Sequence, residues 1–406
     1  MLSLDLSYGR KKDVPLSIAA KNKTIWRILN LIMSNGSFLI FGHTFPDEDC
    51  VASLTAFGLL LRKFNKKVCI YLESAIQRPL EFLGDVIEYN GIEFYTDALG
   101  AIPKPDVIFV LDTPKPDMIA ADDYGFRLLA DPTIPKVEID HHFDADAHTV
   151  STPDFSLLLA ASSTCEIIAQ ICYKLSKRSD VLQLYEISEL YSRNIVLAML
   201  TGMVGDAKTG GYLFKKRDKK IFDYFFNHLN ELLAQKSRRN TTNIANATEL
   251  LNMIDSLSTA EHKILNKILD YSVYDHEIGA IFLDRKASHE FFDLADYTQV
   301  VGVVKTATNA IAENAGLIGI SAFYDPDDVS NKVQYRVRAS KAGNYLNLLT
   351  VLLDLKLEDG GGHPGAIAFR FNKNTVSDEA FAEFNRTLIQ KLQQIIVIDK
   401  GIQSAE

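Results

Sequence analysis

Asp140-His141-His142 closes the short run Val137 to Ile139, and that order of residue types sets one carboxylate and two imidazoles at a strand's C-terminal end. Oxygen and nitrogen donors gathered in one crevice suit a divalent transition metal. A second ligand-rich stretch, His43-Thr44-Phe45-Pro46-Asp47-Glu48-Asp49, follows the apolar run Phe38 to Phe41. Asp47 and Asp49 equally suit an acidic helix N-terminus, where the macrodipole favours negative charge; the preceding His43 weighs toward ligation. Two more carboxylates stand at element ends: Asp112 after Val107 to Leu111, and Asp206 after the helical stretch Tyr191 to Leu200 and the glycines Gly202 and Gly205. A lone aspartate in such a place is most often a cap or turn residue, so it is the recurrence in four segments that argues for a site. The glycines before Asp206 let the backbone come close to a ligand.

Such residues converge only if the elements they follow lie side by side. Open α/β sheets collect ligands in the crevice beyond the strands' carboxyl ends, so His43, Asp47, Asp49, Asp112 and His141 can meet there without being close in sequence. The pattern agrees. Three short apolar runs precede the candidates, Gly42 and Pro46 punctuate the first turn, and Val51 to Phe64 reads as a helix folded back on the sheet. The expected fold is α/β, a doubly wound parallel sheet over residues 1–212, then a helical connector over 213–270 and a second, smaller α+β domain over 271–406. The connector is charge-rich, with Lys215-Lys216-Arg217-Asp218-Lys219-Lys220 and a polar turn from Ser237 to Asn246. An oligomer contact supporting a homodimer, a hinge and a solvated insertion are all open for it. In the second domain strands are expected at Ile278 to Leu283, Leu317 to Tyr324, Val333 to Ala339 and Ala366 to Phe371, with helices near Ala295 to Ala312 and Leu346 to Leu355.

Two features of the C-terminal part suit an anionic ligand. Asp359-Gly360-Gly361-Gly362-His363-Pro364 sets three glycines in a row, where positive φ and bare N–H groups could cradle a phosphate or admit a base stacked close to the chain. A flexible hairpin is the plainer alternative. Just upstream, Arg336 and Arg338 alternate on one strand and suit bidentate contact with phosphate, unless they merely charge an exposed edge.

In order and context, His43 to Asp49, Asp112-Thr113, Asp140-His141-His142 and Gly205-Asp206 resemble the DHH phosphoesterase superfamily. Ser162-Ser163-Thr164-Cys165-Glu166 resembles the helix start that follows the signature strand, and makes independent sense as a capping box of Ser163 with Glu166. The glycine segment resembles the DHH-associated C-terminal domain. The resemblance implies a two-metal site, usually manganese, with Mg2+ or Co2+ as substitutes. One ion would take His43, Asp47 and Asp112, and the other Asp49, Asp112, His141 and Asp206. Two cations about 4 Å apart lower the pKa of a shared water and neutralise charge on phosphoryl oxygens. His142 would face the phosphate as a catalytic donor. Asp140 would orient an imidazole or hold the turn, and Arg338, Gly361, Gly362 and His363 would bind substrate. Where the family's common form has serine directly after the arginine, Ala339 intervenes before Ser340, so Arg338 is carried over and Ser340 is not.

Superfamily members that combine these two domains act on short oligonucleotides or on a nucleoside bisphosphate such as 3′-phosphoadenosine-5′-phosphate, and a cyclic dinucleotide phosphodiesterase is the second expectation. An inorganic pyrophosphatase fits Gly360 to His363 less well. A non-catalytic nucleotide-binding protein would be expected to have lost a metal ligand, whereas all six positions hold suitable residues. The net charge of −9 argues against tight binding of long duplex nucleic acid, whose affinity rests on phosphate neutralisation. At 406 residues and 47% hydrophobic, the chain exceeds what one core usually supports. No segment reaches the roughly 18 consecutive apolar residues of a membrane span, and no long apolar stretch follows Arg10-Lys11-Lys12 as in a signal peptide. No membrane association and a cytoplasmic location are expected. Cys50, Cys69, Cys165 and Cys172 lack CxxC spacing and sit in apolar surroundings, as buried thiols would, with no disulfide and no zinc. His148, His228, His262, His276 and His289 belong to no constellation.

Overall fold

The computed structural model describes residues 10–403, apart from 13, 74, 77–78, 97–98, 101, 144–146, 208–215, 235–243, 245, 256 and 258. The chain forms two compact units, which part after residue 256.

The first unit is built on β1 (Ser37–Phe41), β2 (Lys67–Tyr71), β3 (Glu93–Tyr95), β4 (Val107–Leu111), β5 (Lys136–Asp140) and β6 (Ser156–Leu158). They form one six-stranded sheet in the order β3-β2-β1-β4-β5-β6, with every neighbouring pair parallel. Strand order reverses between β1 and β4, the switch point of a doubly wound sheet. Alternate side chains of a strand face opposite ways. Accordingly Phe38, Ile40, Phe109 and Leu111 enter one apolar cluster, while Leu39, Phe41, Ile108 and Val110 enter another on the opposite face. Burial on both faces is why these runs are apolar throughout instead of alternating. Glu138, in the middle of β5 and fully buried, breaks that rule.

The helix expected over Val51 to Phe64 spans Glu48–Lys63, because Asp47 caps it: its Oδ1 accepts from the Cys50 N–H at 3.2 Å. Helices Lys216–Ala234 and Ala247–Asp255 add Phe222, Phe225, Leu229 and Leu250 to the larger cluster of this unit. Apart from Ile244 and Asn246, the turn expected from Ser237 to Asn246 lies outside the described residues, as does Lys215.

The second unit carries β7 (Ser272–Asp275), β8 (Ile278–Phe282), β9 (Ile318–Tyr324), β10 (Lys332–Ala339), β11 (Gly360–His363) and β12 (Ala366–Asn372). Their order is β11-β12-β10-β9-β8-β7, and only β8 and β9 run parallel. Helix Tyr297–Ala315 packs Val303, Ala307 and Ile311 with Ile281 and Phe323, while helix Asp378–Gln403 packs Phe381, Leu388 and Leu392 with Ile320 and Val337.

Two local expectations change. Gly360–His363 is not a loop but a strand that pairs antiparallel with β12 across Pro364 and Gly365, so the hairpin alternative holds, as an ordered hairpin. A Cβ at Gly360 would stand 2.5 Å from Phe369 Cβ, and one at Gly362, whose φ is +140°, would stand 2.1 Å from the Ala366 carbonyl oxygen. Glycine is required there by close backbone approach. β10, flanked by β9 and β12, is an inner strand, so Arg336 and Arg338 do not charge an exposed edge. Among the described residues no helix is long and apolar enough to cross a membrane.

Candidate metal centre

The ligand candidates gather where the strand order reverses. His43 follows β1, Asp112 follows β4, and His141 and His142 follow β5. His43 Nε2 stands 3.7 Å from Asp47 Oδ1 and 3.8 Å from Asp112 Oδ2. His141 Nε2 stands 3.2 Å from Asp206 Oδ2, 3.4 Å from Asp112 Oδ1 and 3.9 Å from Asp49 Oδ2. The six candidates thus form two donor groups that share Asp112, which turns one oxygen to each.

The donor set fits divalent cations. Most of these separations exceed a hydrogen bond and suit ligand atoms arranged about an ion whose own bonds are roughly 2.0–2.2 Å. His43 Nδ1 lies 2.7 Å from the Thr44 carbonyl oxygen. A carbonyl only accepts, so Nδ1 carries the proton and Nε2 presents a lone pair to the carboxylates, the arrangement usual for metal-bound histidine. Charge argues the same way. Burial, then Asp112 and Asp206, drive the Asp49 carboxyl well above its ordinary range. Burial alone would lower the His43 and His141 imidazoles, but Cys50 and Asp47 at the first and Asp112, Asp206 and Asp49 at the second raise both well above theirs. Four carboxylates crowded around two imidazoles hold protons where cations are wanted.

The elements behind the ligands fix them. Asp112 adopts φ +51°, an uncommon conformation for a residue with a side chain, and its Oδ1 accepts from Thr164 Oγ1 at 2.9 Å. Asp49 accepts the N–H groups of Thr164 at 2.6 Å and Cys165 at 3.1 Å, which places its charge at the N-terminus of helix Thr164–Leu175. Ser163 caps that helix through the Glu166 N–H at 3.0 Å, and the Glu166 carboxylate reaches back to the Ser162 N–H at 2.9 Å. The capping box is therefore present, shifted by one residue on its return bond. Thr164 was legible only as part of that cap; its contact with Asp112 needs the fold.

Asp206 is placed differently from its expectation. Gly202, Gly205 and Asp206 lie inside helix Arg193–Ala207, not in a turn after it. A Cβ at Gly202 would stand 2.4 Å from both Asp49 Oδ1 and Cys165 Sγ, and one at Gly205 would stand 2.3 Å from Glu48 Cβ. The glycines bring this helix against the one that carries Asp49. All four cysteines are buried and free, but Cys50, grouped with His43 and Asp112, and Cys165, beside Asp49, line the centre.

Asp140 stays behind the cluster. Its Oδ1 takes the His142 Nδ1–H at 2.8 Å and the His141 N–H at 2.9 Å. Its other oxygen meets the Lys12 ammonium at 2.6 Å, a contact absent from the sequence expectations. Burial alone would raise the Asp140 carboxyl; Lys12 and His142 outweigh that and hold it below its ordinary range. His142 Nδ1 also lies 3.7 Å from Asp112 Oδ1, so the ring borders the shared ligand.

These shifts set an expected pH response. Asp49, His43 and His141 all bind protons more tightly folded than unfolded, so stability they confer on the metal-free protein falls as pH rises, the imidazole part from 6.5 upward. Divalent metal competes for the same atoms. Manganese should therefore raise the melting temperature more at about pH 8 than at about pH 6, reaching about 2.7 kcal/mol of stabilisation at a hundred-fold excess over Kd. Thermal unfolding with and without Mn2+ at the two pH values checks this, and an equal increment at both would contradict it.

A parallel doubly wound sheet places such a donor set at its switch point, where ligands of open α/β sheets gather. Residues 37–203 match the DHH family, N-terminal domain. That segment contains every candidate ligand except Asp206. No curated protein matches the chain. Among solved structures it is similar to an exopolyphosphatase-related protein from Bacteroides fragilis, at 17% identity and a TM-score of 0.65 over 92% of this chain and 98% of that one. A putative family II inorganic pyrophosphatase from Methanococcus jannaschii matches at 14% identity and a TM-score of 0.40, over 86% of this chain and 99% of that one. The first of these likenesses is one of fold.

Proposed function

We propose that the protein is a manganese-dependent phosphoesterase that hydrolyses short oligonucleotides or a nucleoside bisphosphate. The observation that carries this is the pair of donor groups joined through Asp112, with His142 held beside them. Two divalent cations in those groups would supply a water that deprotonates near neutral pH and would neutralise charge on phosphoryl oxygens. The chain's own residues do the rest. Asp112 offers one oxygen to each group and so fixes their spacing. His142 commits Nδ1–H to Asp140, which leaves Nε2 to hold or give a proton at a phosphate oxygen or the leaving group.

Selection of a nucleotide would fall to the second unit. Lys332, Gln334, Arg336 and Arg338 share one face of β10, and Arg370 lies opposite Gln334 on β12. Small residues flank the two arginines: Ser321 and Ala368 beside Arg336, Gly319 and Ala366 beside Arg338, with Gly361 next to Ala368. Asp359 meets Lys332 at 2.7 Å and Arg370 at 3.9 Å, and the shallow floor beside Arg336 and Arg338 supports phosphate and base contacts by Arg338, Gly361 and Gly362. Ser340 donates its hydroxyl to the Gly316 carbonyl. The His363 side chain lies outside the described residues.

The test is Mn2+-dependent turnover of a dinucleotide, 3′-phosphoadenosine-5′-phosphate, a cyclic dinucleotide and pyrophosphate, side by side with Asp112→Ala. Hydrolysis of the first two, lost in the variant, is expected. Turnover of pyrophosphate alone would overturn the nucleotide assignment, and turnover of none would overturn the enzyme reading.

A further inference from the structure

Lys12 precedes the segment that matches the DHH domain, which begins at residue 37. Its side chain is nonetheless fully buried, as are those of Glu138 and Asp140, with side-chain exposures of 0%. The ammonium donates to the Thr113 carbonyl at 2.7 Å and to Asp140 Oδ2 at 2.6 Å, and it stands 2.7 Å from Glu138 Oε1. An ammonium has three donors, and three oxygens surround this one. The segment that delivers it is tied down by its backbone. The Arg10 N–H donates to Thr149 Oγ1 at 3.0 Å, the Thr149 N–H to the Arg10 carbonyl at 2.8 Å, and the Lys12 N–H to the Ala147 carbonyl at 2.9 Å.

A fully buried cation is retained where it has partners that require it. Here the partners stand directly behind the centre. Thr113 follows Asp112, the residue held at φ +51° between the two donor groups. Asp140 Oδ2 is taken by Lys12, so Oδ1 is left to accept the His142 Nδ1–H at 2.8 Å. One ammonium therefore links the turn that presents Asp112 to the carboxylate that aims His142.

We propose that Lys12 is a positioning residue of the active centre, acting through Asp140 on the orientation of His142 and through the Thr113 carbonyl on the Asp112 turn. The proposal deepens, and rests on, the phosphoesterase assignment. It makes the N-terminal arm part of the catalytic machinery, although it contributes no ligand.

Lys12→Met alone leaves two buried carboxylates without their cation and can fail to fold. The informative protein is the double variant Lys12→Met with Glu138→Gln, which removes one charge of each sign, compared with Glu138→Gln alone. Two readouts are taken on full-length protein: steady-state kinetics of the manganese-loaded protein on the phosphoester that the parent turns over, and the nitrogen-edited NMR signal of the His142 Nδ1 proton on a diamagnetic Mg2+-loaded sample. The double variant should lose about 10–100-fold in kcat, as expected when an outer partner of a metal site is removed, with KM and the Mn2+ concentration for half-maximal activity changed far less. The Nδ1 proton signal should shift or vanish. A double variant that keeps the reference kcat and signal would overturn the proposal. Should the parent turn over no phosphoester, the function assignment fails by itself. The proton signal then decides the positioning claim: unchanged overturns it, shifted or lost supports it.

Discussion

Asp112→Asn is expected to cut manganese-dependent turnover by on the order of 10²–10³-fold, the loss typical of removing one charge-stabilising group from an active centre. The substitution keeps shape and removes charge. Asparagine can still accept from Thr164 Oγ1, the bond that Asp112 Oδ1 makes at 2.9 Å, so the turn between β4 and the following segment should persist. What it cannot do is offer an anionic oxygen to both donor groups, His43 Nε2 at 3.8 Å on one side and His141 Nε2 at 3.4 Å on the other. In the metal-free variant two effects oppose, since removing the Asp112 charge relieves the Asp49 carboxyl but takes a partner from the protonated His141 imidazole, so the melting temperature should stay near the parent's. Kinetics, metal content and melting temperature together separate this from misfolding. A well-folded variant that retained more than about a tenth of parental turnover would show that the two groups do not work as one centre.

How much of this was legible in the sequence depended on whether a residue's neighbours were local. The strand runs were plain because both faces of the sheet are covered, and each ligand candidate showed as a polar residue interrupting an apolar stretch. Asp47 caps the Glu48–Lys63 helix and also stands 3.7 Å from His43 Nε2, so its cap interpretation and its ligand interpretation do not exclude each other. Gly202 and Gly205 were noticed for the right property, close approach, but the partner is a neighbouring helix, which no local pattern names. β11 was misread as a loop because three glycines carry no strand pattern, and only the crowding against β12 explains them. Lys12 was invisible within Arg10-Lys11-Lys12, which has the look of a solvated basic start. The signal lay elsewhere, in Glu138, a carboxylate in the middle of a fully buried strand that calls for a cation from some other part of the chain.

Gly202→Ala should damage both the packing of the first unit and the donor group around His141. Elsewhere the same change helps. Gly302, within helix Tyr297–Ala315, has nothing within 4 Å of a built Cβ, so alanine there should stabilise by up to about 1 kcal/mol through helix propensity. At Gly202 that gain is overwhelmed, since the new carbon would meet Asp49 Oδ1 and Cys165 Sγ at 2.4 Å. Asp49 cannot simply step aside, because the Thr164 and Cys165 N–H groups hold it at 2.6 and 3.1 Å. Either helix Arg193–Ala207 backs away and takes Asp206 with it, or Asp49 leaves its helix N-terminus. Each route opens the donor group around His141. Overpacking of this kind costs about 1–3 kcal/mol, and the displaced ligand should lower manganese affinity or turnover by about 10–100-fold. Thermal melts and Mn2+ titrations of Gly202→Ala beside Gly302→Ala test this directly: opposite signs in stability, with metal binding impaired only in the first, are the expected result. Parental melting temperature and metal affinity in Gly202→Ala would mean that the approach of these two helices does not set the position of Asp49.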